Sequence, residues 1–399
     1  MIGRPIGPPP KGIDLLKMCV GHSDDVDASD AIAAAIEECR AGLAGLTPQA
    51  AILIAAYEIF EPSMLAAVID AFPGTAVVGA TSAAELTSVG GFMEDSVSLT
   101  VFASDEIDIT VGFARGLGDD VDATTRAVAM DAMSRTTRDP KVCVVLAENF
   151  VTDPQRTVNG LAKALPDGVV IVGGGSGRGR SNQMRPTLQF GAGGVAEDGL
   201  AILLFSGPVA ISTAVGTGWK TIGRRGIVTG SAENLLEAID GRPAAEFVSR
   251  YVGELGSGLA GTPLAVFESS GEEFYLRTMM PWSGEDRGLT IMGTIPEGRE
   301  VQLTMANTDE ILAGARSSVA TALEGFPAGA TPQAALVFSC AIRKGLLGSR
   351  TRVESELVRS VLGASIPVSG LYCYGEIGPI GETGSRLLNE TFVTLLLGT

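Results

Sequence analysis

The sequence predicts an α/β fold: mixed sheets built from repeated β-α-β units with an added strand, helices covering the sheets, and two tandem related domains. Three observations predict it. One plan recurs three times along the chain: apolar strand, amphipathic helix, apolar strand closing on glycine, irregular loop, then a further apolar strand. A helical crossover between two strands makes them parallel, so mixed sheets covered by helices follow. The chain has 399 residues, 45% of them hydrophobic, which is enough for more than one core.

The first copy opens with the strand AILIAAY, 51–57. A helix follows Glu61-Pro62, because proline suits a first helical position whose N–H has no partner. Met64, Leu65, Val68, Ile69 and Phe72 recur at helical spacing, and Pro73-Gly74 stops the run. AVVGATSAAEL, 76–86, comes next. Beyond Gly90-Gly91 and Glu94-Asp95, SVSLTVFA closes the unit.

The second copy opens with VCVVLA, 142–147, and Asp153-Pro154 starts its helix, with Val158, Leu161 and Leu165 on the apolar face. VVIVGGGSGRG follows, and Glu197-Asp198 precedes the strand GLAILLFS. The third copy opens with AALVFSCAIR, 334–343. Thr351 and Glu354 read as a capping box and Gly363 as the helix stop. VSGLYCYGEIG follows, and Asn389-Glu390 precedes TFVTLLL. Gly79 precedes Glu85 by the same six positions that separate Gly370 from Glu376.

A different segment lies between the second and third copies. Strands are expected at 210–215, 264–268, 289–295 and 301–305. A helix follows the Asn307/Glu310 capping box, and a joining helix is expected at 231–241. The domain reading is therefore 1–16 as a flexible N-terminal segment, 17–230 as one domain and 231–399 as the other.

The net charge of −17 argues against nucleic acid and against an anionic membrane surface. No apolar run reaches the ~18–20 residues of a membrane span, and the start of the chain has no signal-peptide core. A cytoplasmic location is the expectation. Five cysteines at wide spacing, Cys19, Cys39, Cys143, Cys340 and Cys373, make neither a disulfide framework nor a zinc motif. The single histidine, His22, removes most His-based chemistry, and no metal site is expected.

Taken in order, several segments resemble the bacterial FIST family. They are MCVGHSDDVDASDAIAAAIEECRAGL, VVGATSAAELTSVGGFMEDSVSLTVFA and VVIVGGGSGRG in the first half, and GTGWKTIGRRGIVTGSAENLLEAIDGRPAAEF at the junction. The second half adds IPEGREVQLTMANTDE, SCAIRKGLLG, GLYCYGEIGP and NETFVTLLL. The resemblance implies a FIST N-like domain at 17–230 and a FIST C-like domain at 231–399. It implies an intracellular sensory protein that binds a small ligand, an amino acid being suggested. The signal would pass to a separate kinase, chemoreceptor or cyclic-dinucleotide enzyme. Some members resembling this chain bind haem as nitric-oxide sensors, so haem is the alternative ligand. Many relatives carry a histidine just before the asparagine of the final strand, where this chain has Leu388-Asn389. His22 and Cys340 are then the remaining haem-ligand candidates. No other cofactor is expected.

The residues themselves point to the ends of the third copy's strands. Arg343 offers a planar fork for a carboxylate and Glu376 an acceptor for an ammonium group, which together suit a zwitterion. The competing reading is that the two simply pair. Ser339, Cys340, Tyr372 and Tyr374 flank them, and Asn389 and Thr391 supply further polar groups. Glu85, Thr81, Ser82 and Arg178 form a secondary set; GGGSGRG, 173–179, is neither a dinucleotide fingerprint nor a P-loop. A cysteine enzyme built on Cys340 is the least supported alternative, because a nucleophilic thiol needs a neighbouring base. The expectation is a binding protein, not an enzyme.

Overall fold

The structure is a computed structural model. It describes residues 16–399 apart from 151, 180–184, 254, 256, 269–270, 281–287 and 382–383, so the expected flexible segment lies almost wholly outside the described residues. Three six-stranded sheets share one plan. The first unit supplies strands Lys17–Ser23, Ala50–Ala56, Ala76–Ser82 and Val97–Ala103. The second supplies Asp108–Ala114, Pro140–Ala147, Val170–Gly175 and Leu200–Ser206. The third supplies Ala210–Gly216, Pro332–Cys340, Val368–Cys373 and Phe392–Gly398. In every unit the spatial order is first, fourth, second, third. The second and third strands are parallel, and the fourth runs antiparallel to its neighbours.

The last two strands on one side of each sheet come from another unit. Each unit carries a hairpin between its third and fourth strands: Ala84–Thr87 with Gly91–Met93, Gln189–Gly191 with Gly194–Ala196, and Glu376–Pro379 with Ser385–Leu388. The first unit's hairpin adds to the third unit's sheet, the second's to the first's, and the third's to the second's. The exchange is cyclic, so no unit completes its own sheet. Gly79, Gly173 and Gly370 sit at matching places on the third strands. A Cβ on them would lie 2.0, 2.0 and 2.3 Å from the carbonyl oxygens of Leu53, Val145 and Val337. Only glycine allows that approach.

Alternation along the central strands sorts the core. Ile52, Ile54, Val144, Leu146, Leu336 and Phe338 point to a core shared by all three sheets. The intervening Leu53, Val145 and Val337 pack under helices. The shared centre leaves a gap of about 10 Å³, at or below what one water needs (~10–15 Å³), so it is dry core and not a ligand chamber.

Helices form after Glu61-Pro62, after Asp153-Pro154 and after Asn307, as the sequence predicts. Asp27 caps Ala28–Leu43, accepting from the Ser29 and Asp30 N–H groups, and Asn307 and Glu310 form the expected capping box of Thr308–Glu324. Two expectations are corrected. Residues 231–241 form no helix: Lys220–Ala232 and Leu235–Ile239 are paired strands joined by a turn with Glu233 at φ 49°. They belong to a seven-stranded sheet inserted between the third unit's first strand and its helix 308–324. Thr351 makes no cap bond to helix Arg352–Leu362: its hydroxyl donates to the Lys344 and Gly348 carbonyls, and Glu354 is turned inward to a buried arginine. Trp219 is buried with Phe267, Leu276, Ile311 and Leu312, fastening the inserted sheet to that helix.

Candidate functional site

Arg343 lies in the first turns of helix Ala341–Leu347, not in the strand expected for it. It is fully buried, and each of its three side-chain nitrogens donates. Nε and Nη2 donate to Glu354 Oε1 at 3.1 and 2.6 Å, Nη1 donates to the Thr217 carbonyl at 2.7 Å, and Nη2 also donates to the Ile311 carbonyl at 2.8 Å. Glu354 is the hub of the cluster. Its Oε2 accepts from Ser339 Oγ at 3.1 Å and from the Tyr372 hydroxyl at 2.8 Å. So Arg343, Ser339 and Tyr372 do converge, around Glu354 and not around an open hollow. Two opposite charges without solvent saturate each other, which removes the expected Arg343–Glu376 clamp. The sequence signal for Glu354 was present but read as a cap.

Glu376 is also buried. Its Oε2 accepts from the Thr391 N–H at 2.9 Å and from Thr391 Oγ1 at 2.8 Å, and Cys373 Sγ lies 3.6 Å from Oε1. Glu85 is its counterpart in the first unit, accepting from Ser82 and Ser96. The counterpart in the second unit is Gln189, which accepts from the Gly199 N–H at 2.7 Å. Glu85, Gln189 and Glu376 pair with Leu371, Ala80 and Gly174, each the residue after the glycine of a third strand. These polar groups pin the exchanged hairpins. Burial pushes the Glu85 and Glu376 carboxyls up to about 7. Thr81 bonds across to Leu188 at one of these seams, whereas Asn389 accepts from the Thr278 N–H at 3.0 Å and so ties the third unit to the inserted sheet.

The haem candidates do not fit haem. His22 is buried, with Nδ1 2.8 Å from Thr87 Oγ1 and Nε2 2.9 Å from Ser96 Oγ, so neither nitrogen is offered to a metal. Burial pushes its pKa down to about 4. Cys340 is enclosed, and burial with the Glu376 and Glu390 carboxylates pushes its thiol well up. Among the described residues no cluster of three metal-ligating side chains occurs, nor is any helix long and apolar enough to cross a membrane.

The open space lies next door. A cleft of about 520 Å³ falls within the ~300–1,000 Å³ of small-molecule sites. It sits beyond the carboxyl ends of strands Pro140–Ala147 and Val368–Cys373, where α/β sheets place ligands. Asn149, Phe150, Asp153 and Arg156 line one wall, Tyr374 and Leu387 a second, and Glu233, Asn234, Met280 and Met292 of the inserted sheet a third. Tyr374 is the one primary sequence candidate that reaches it. Phe150 and Tyr374 meet edge to face at 5.6 Å, and the Arg178 guanidinium stacks 4.9 Å over Phe150. Asp153 caps helix Pro154–Ala164 through the Gln155 N–H, which fixes its carboxylate at the mouth.

Asn149 is the telling residue. It is only 7% exposed and donates its amide to the Tyr374 carbonyl, but its Oδ1 has no hydrogen-bond partner. An unpartnered buried acceptor costs ~1–3 kcal/mol. Arg156 is exposed and its guanidinium forms no ion pair among the described residues. No motif marks Asn149 or Arg156 in the sequence, since both take their meaning from strands far apart in the chain.

A family model for the FIST N domain matches residues 49–242, and one for the FIST C domain matches residues 244–379. No curated protein matches the chain. Among the solved structures that resemble it are two at low TM-scores. A cyanuric acid hydrolase, described as an evolutionary innovation by structural concatenation, is 10% identical at a TM-score of 0.36, covering 96% of this chain and 99% of its own. The cyanuric acid hydrolase of A. caulinodans is 10% identical at a TM-score of 0.37, covering 95% and 98%. Likeness at that level carries no chemistry across.

Proposed function

The chain belongs to the FIST family, and from that premise we propose that it is a sensory protein whose ligand, a free amino acid, binds in the cleft between Asn149, Arg156 and Tyr374. The unpartnered Asn149 Oδ1 carries this reading: it lies covered at the cleft wall and needs a donor, and an ammonium group that displaces the cover provides one. The Asp153 and Glu233 carboxylates favour the same cation. The unpaired Arg156 fork is the carboxylate's counterpart, and Phe150, Met280 and Met292 suit an apolar side chain. The family suggestion of an amino acid is thereby kept, but moved from Arg343 and Glu376 to the neighbouring cleft.

The walls come from the second unit, the third unit's hairpin and the inserted sheet. A ligand touching all three favours one relative placement of them over others, and a separate signalling protein would read that difference. The cysteine-enzyme alternative is disfavoured: all five cysteines are buried, and burial raises the pKa of each, which works against a nucleophilic thiolate.

Thermal-shift screening of the amino acids tests the proposal. A true ligand at a hundredfold excess over Kd stabilises by ~2.7 kcal/mol, and Arg156→Ala weakens that response. A wild-type protein that no amino acid stabilises would remove the reading.

A further inference from the structure

A second recess, of about 300 Å³, opens on the inserted sheet and is lined by Arg224, Arg242, Arg250, Ile239, Asp240 and Phe247. Three guanidiniums share it with one carboxylate, in a chain whose net charge is −17. That carboxylate is already committed. Asp240 Oδ2 accepts from Arg224 Nη1 at 2.7 Å and Oδ1 from the Ile227 N–H at 2.8 Å. Among the described residues, neither Arg242 nor Arg250 has a carboxylate within ion-pair distance.

The arginines reach the recess from three elements: Arg224 from strand Lys220–Ala232, Arg242 from strand Arg242–Pro243 and Arg250 from helix Ala244–Val252. Arg224 is held in place, its guanidinium 5.3 Å over the buried Phe247 ring and its N–H donating to the Tyr251 hydroxyl at 3.2 Å. Like charges gathered this way repel unless an anion joins them.

We infer that this recess is a binding site for a phosphate-bearing small molecule. A carboxylate offers two oxygens, which one guanidinium fork can satisfy. Two unspent forks and part of a third present more donors than that, and they match the oxygens and the charge of a phosphate or pyrophosphate group. The site is independent of the amino-acid cleft but mechanically joined to it. Strands 220–232 and 235–239 form one hairpin: its turn, Glu233-Asn234, lines the cleft, and Arg224 and Asp240 stand towards its other end.

Titration of the protein with pyrophosphate by calorimetry at low ionic strength tests the inference, with potassium chloride of matched ionic strength as the blank. The expected result is saturable binding at one site, weakened about tenfold or more in Arg242→Ala/Arg250→Ala, as for lost charge-assisted contacts, and unchanged in Arg156→Ala. Both substituted positions are exposed, so the double variant should keep its circular dichroism. Absence of saturable heat, equal binding by the double variant, or loss confined to Arg156→Ala would overturn it. The last outcome would assign pyrophosphate to the cleft. Failure of the amino-acid screen leaves this titration unaffected.

Discussion

Asn149 donates its side-chain amide to the main-chain carbonyl of Tyr374, tying the end of a second-unit strand to the start of the third unit's hairpin. The same side chain lines the cleft, its Oδ1 covered and without a hydrogen-bond partner. Asn149→Ala is therefore expected to act twice. Loss of the tie should cost ~1 kcal/mol of stability and raise amide hydrogen exchange in strands Glu376–Pro379 and Ser385–Leu388. Loss of the acceptor should abolish amino-acid-dependent stabilisation. A variant that keeps the full ligand response would separate Asn149 from binding.

Arg343 and Glu354 form an ion pair with both side chains fully buried. Removing one partner strands the other charge, so Arg343→Ala should destabilise by ~3–5 kcal/mol in urea unfolding. Arg343→Met combined with Glu354→Leu should recover much of that loss, because no lone charge remains. A double variant as weak as the single would show that the pair's other bonds, to Thr217, Ile311, Ser339 and Tyr372, matter more than its charge.

Glu85 and Glu376 make stability depend on pH. Their folded pKa, about 7, lies above the ordinary glutamate value of 4.5, so their contribution is whole below 4.5 and is lost as pH rises through 7. His22 works oppositely. Its folded pKa of about 4 lies below 6.5, so its contribution is whole above 6.5 and is lost as pH falls through 4. Above pH 6.5 only the carboxylate slope remains, and the melting temperature should fall between pH 6.5 and 8. Glu85→Gln/Glu376→Gln should flatten that slope, and Gln189 already fills the matching position in the second unit. An unchanged slope in the double variant would place the titration elsewhere.

The cyclic hairpin exchange predicts that the first two units do not fold alone. In a fragment of residues 16–206, strand Ala84–Thr87 lacks its partner Val368–Cys373, and Val170–Gly175 lacks Glu376–Pro379. Unpaired edges and an uncovered apolar face should give weak near-ultraviolet dichroism and dye binding. A sharp cooperative melt of that fragment would contradict the exchange.

Gly173→Ala puts a methyl group 2.0 Å from the Val145 carbonyl oxygen, and its φ of 150° suits no other residue well. The expected loss is ~3 kcal/mol or more by chemical denaturation. A near-neutral effect would mean that the parallel pair 140–147 and 170–175 gives way easily.

The repeat was readable because strand alternation, helix periodicity and caps are local: Asp27, Pro62, Asp153 and Asn307 each act within a turn of their own position. The six-residue spacing from Gly79 to Glu85 and from Gly370 to Glu376 gave away two of three equivalent joints. The third was hidden, since Gly173 and Gln189 are separated by a longer loop and the acid is replaced by an amide. Residues 231–241 misled because LLEAI in a short segment suits helix and strand alike, and pairing with residues 220–232 decided it.

What the sequence determined by itself was the set of units, their order and the family. What only the tertiary structure decided was who meets whom. Charge complementarity in a list of residues does not say which acid an arginine finds, so Arg343 went to Glu354, eleven positions away in the chain. Nor does a list reveal where packing stops short. The cleft exists because three separate segments do not close on one another beside Asn149, and empty space leaves no mark on the residues around it until they are folded.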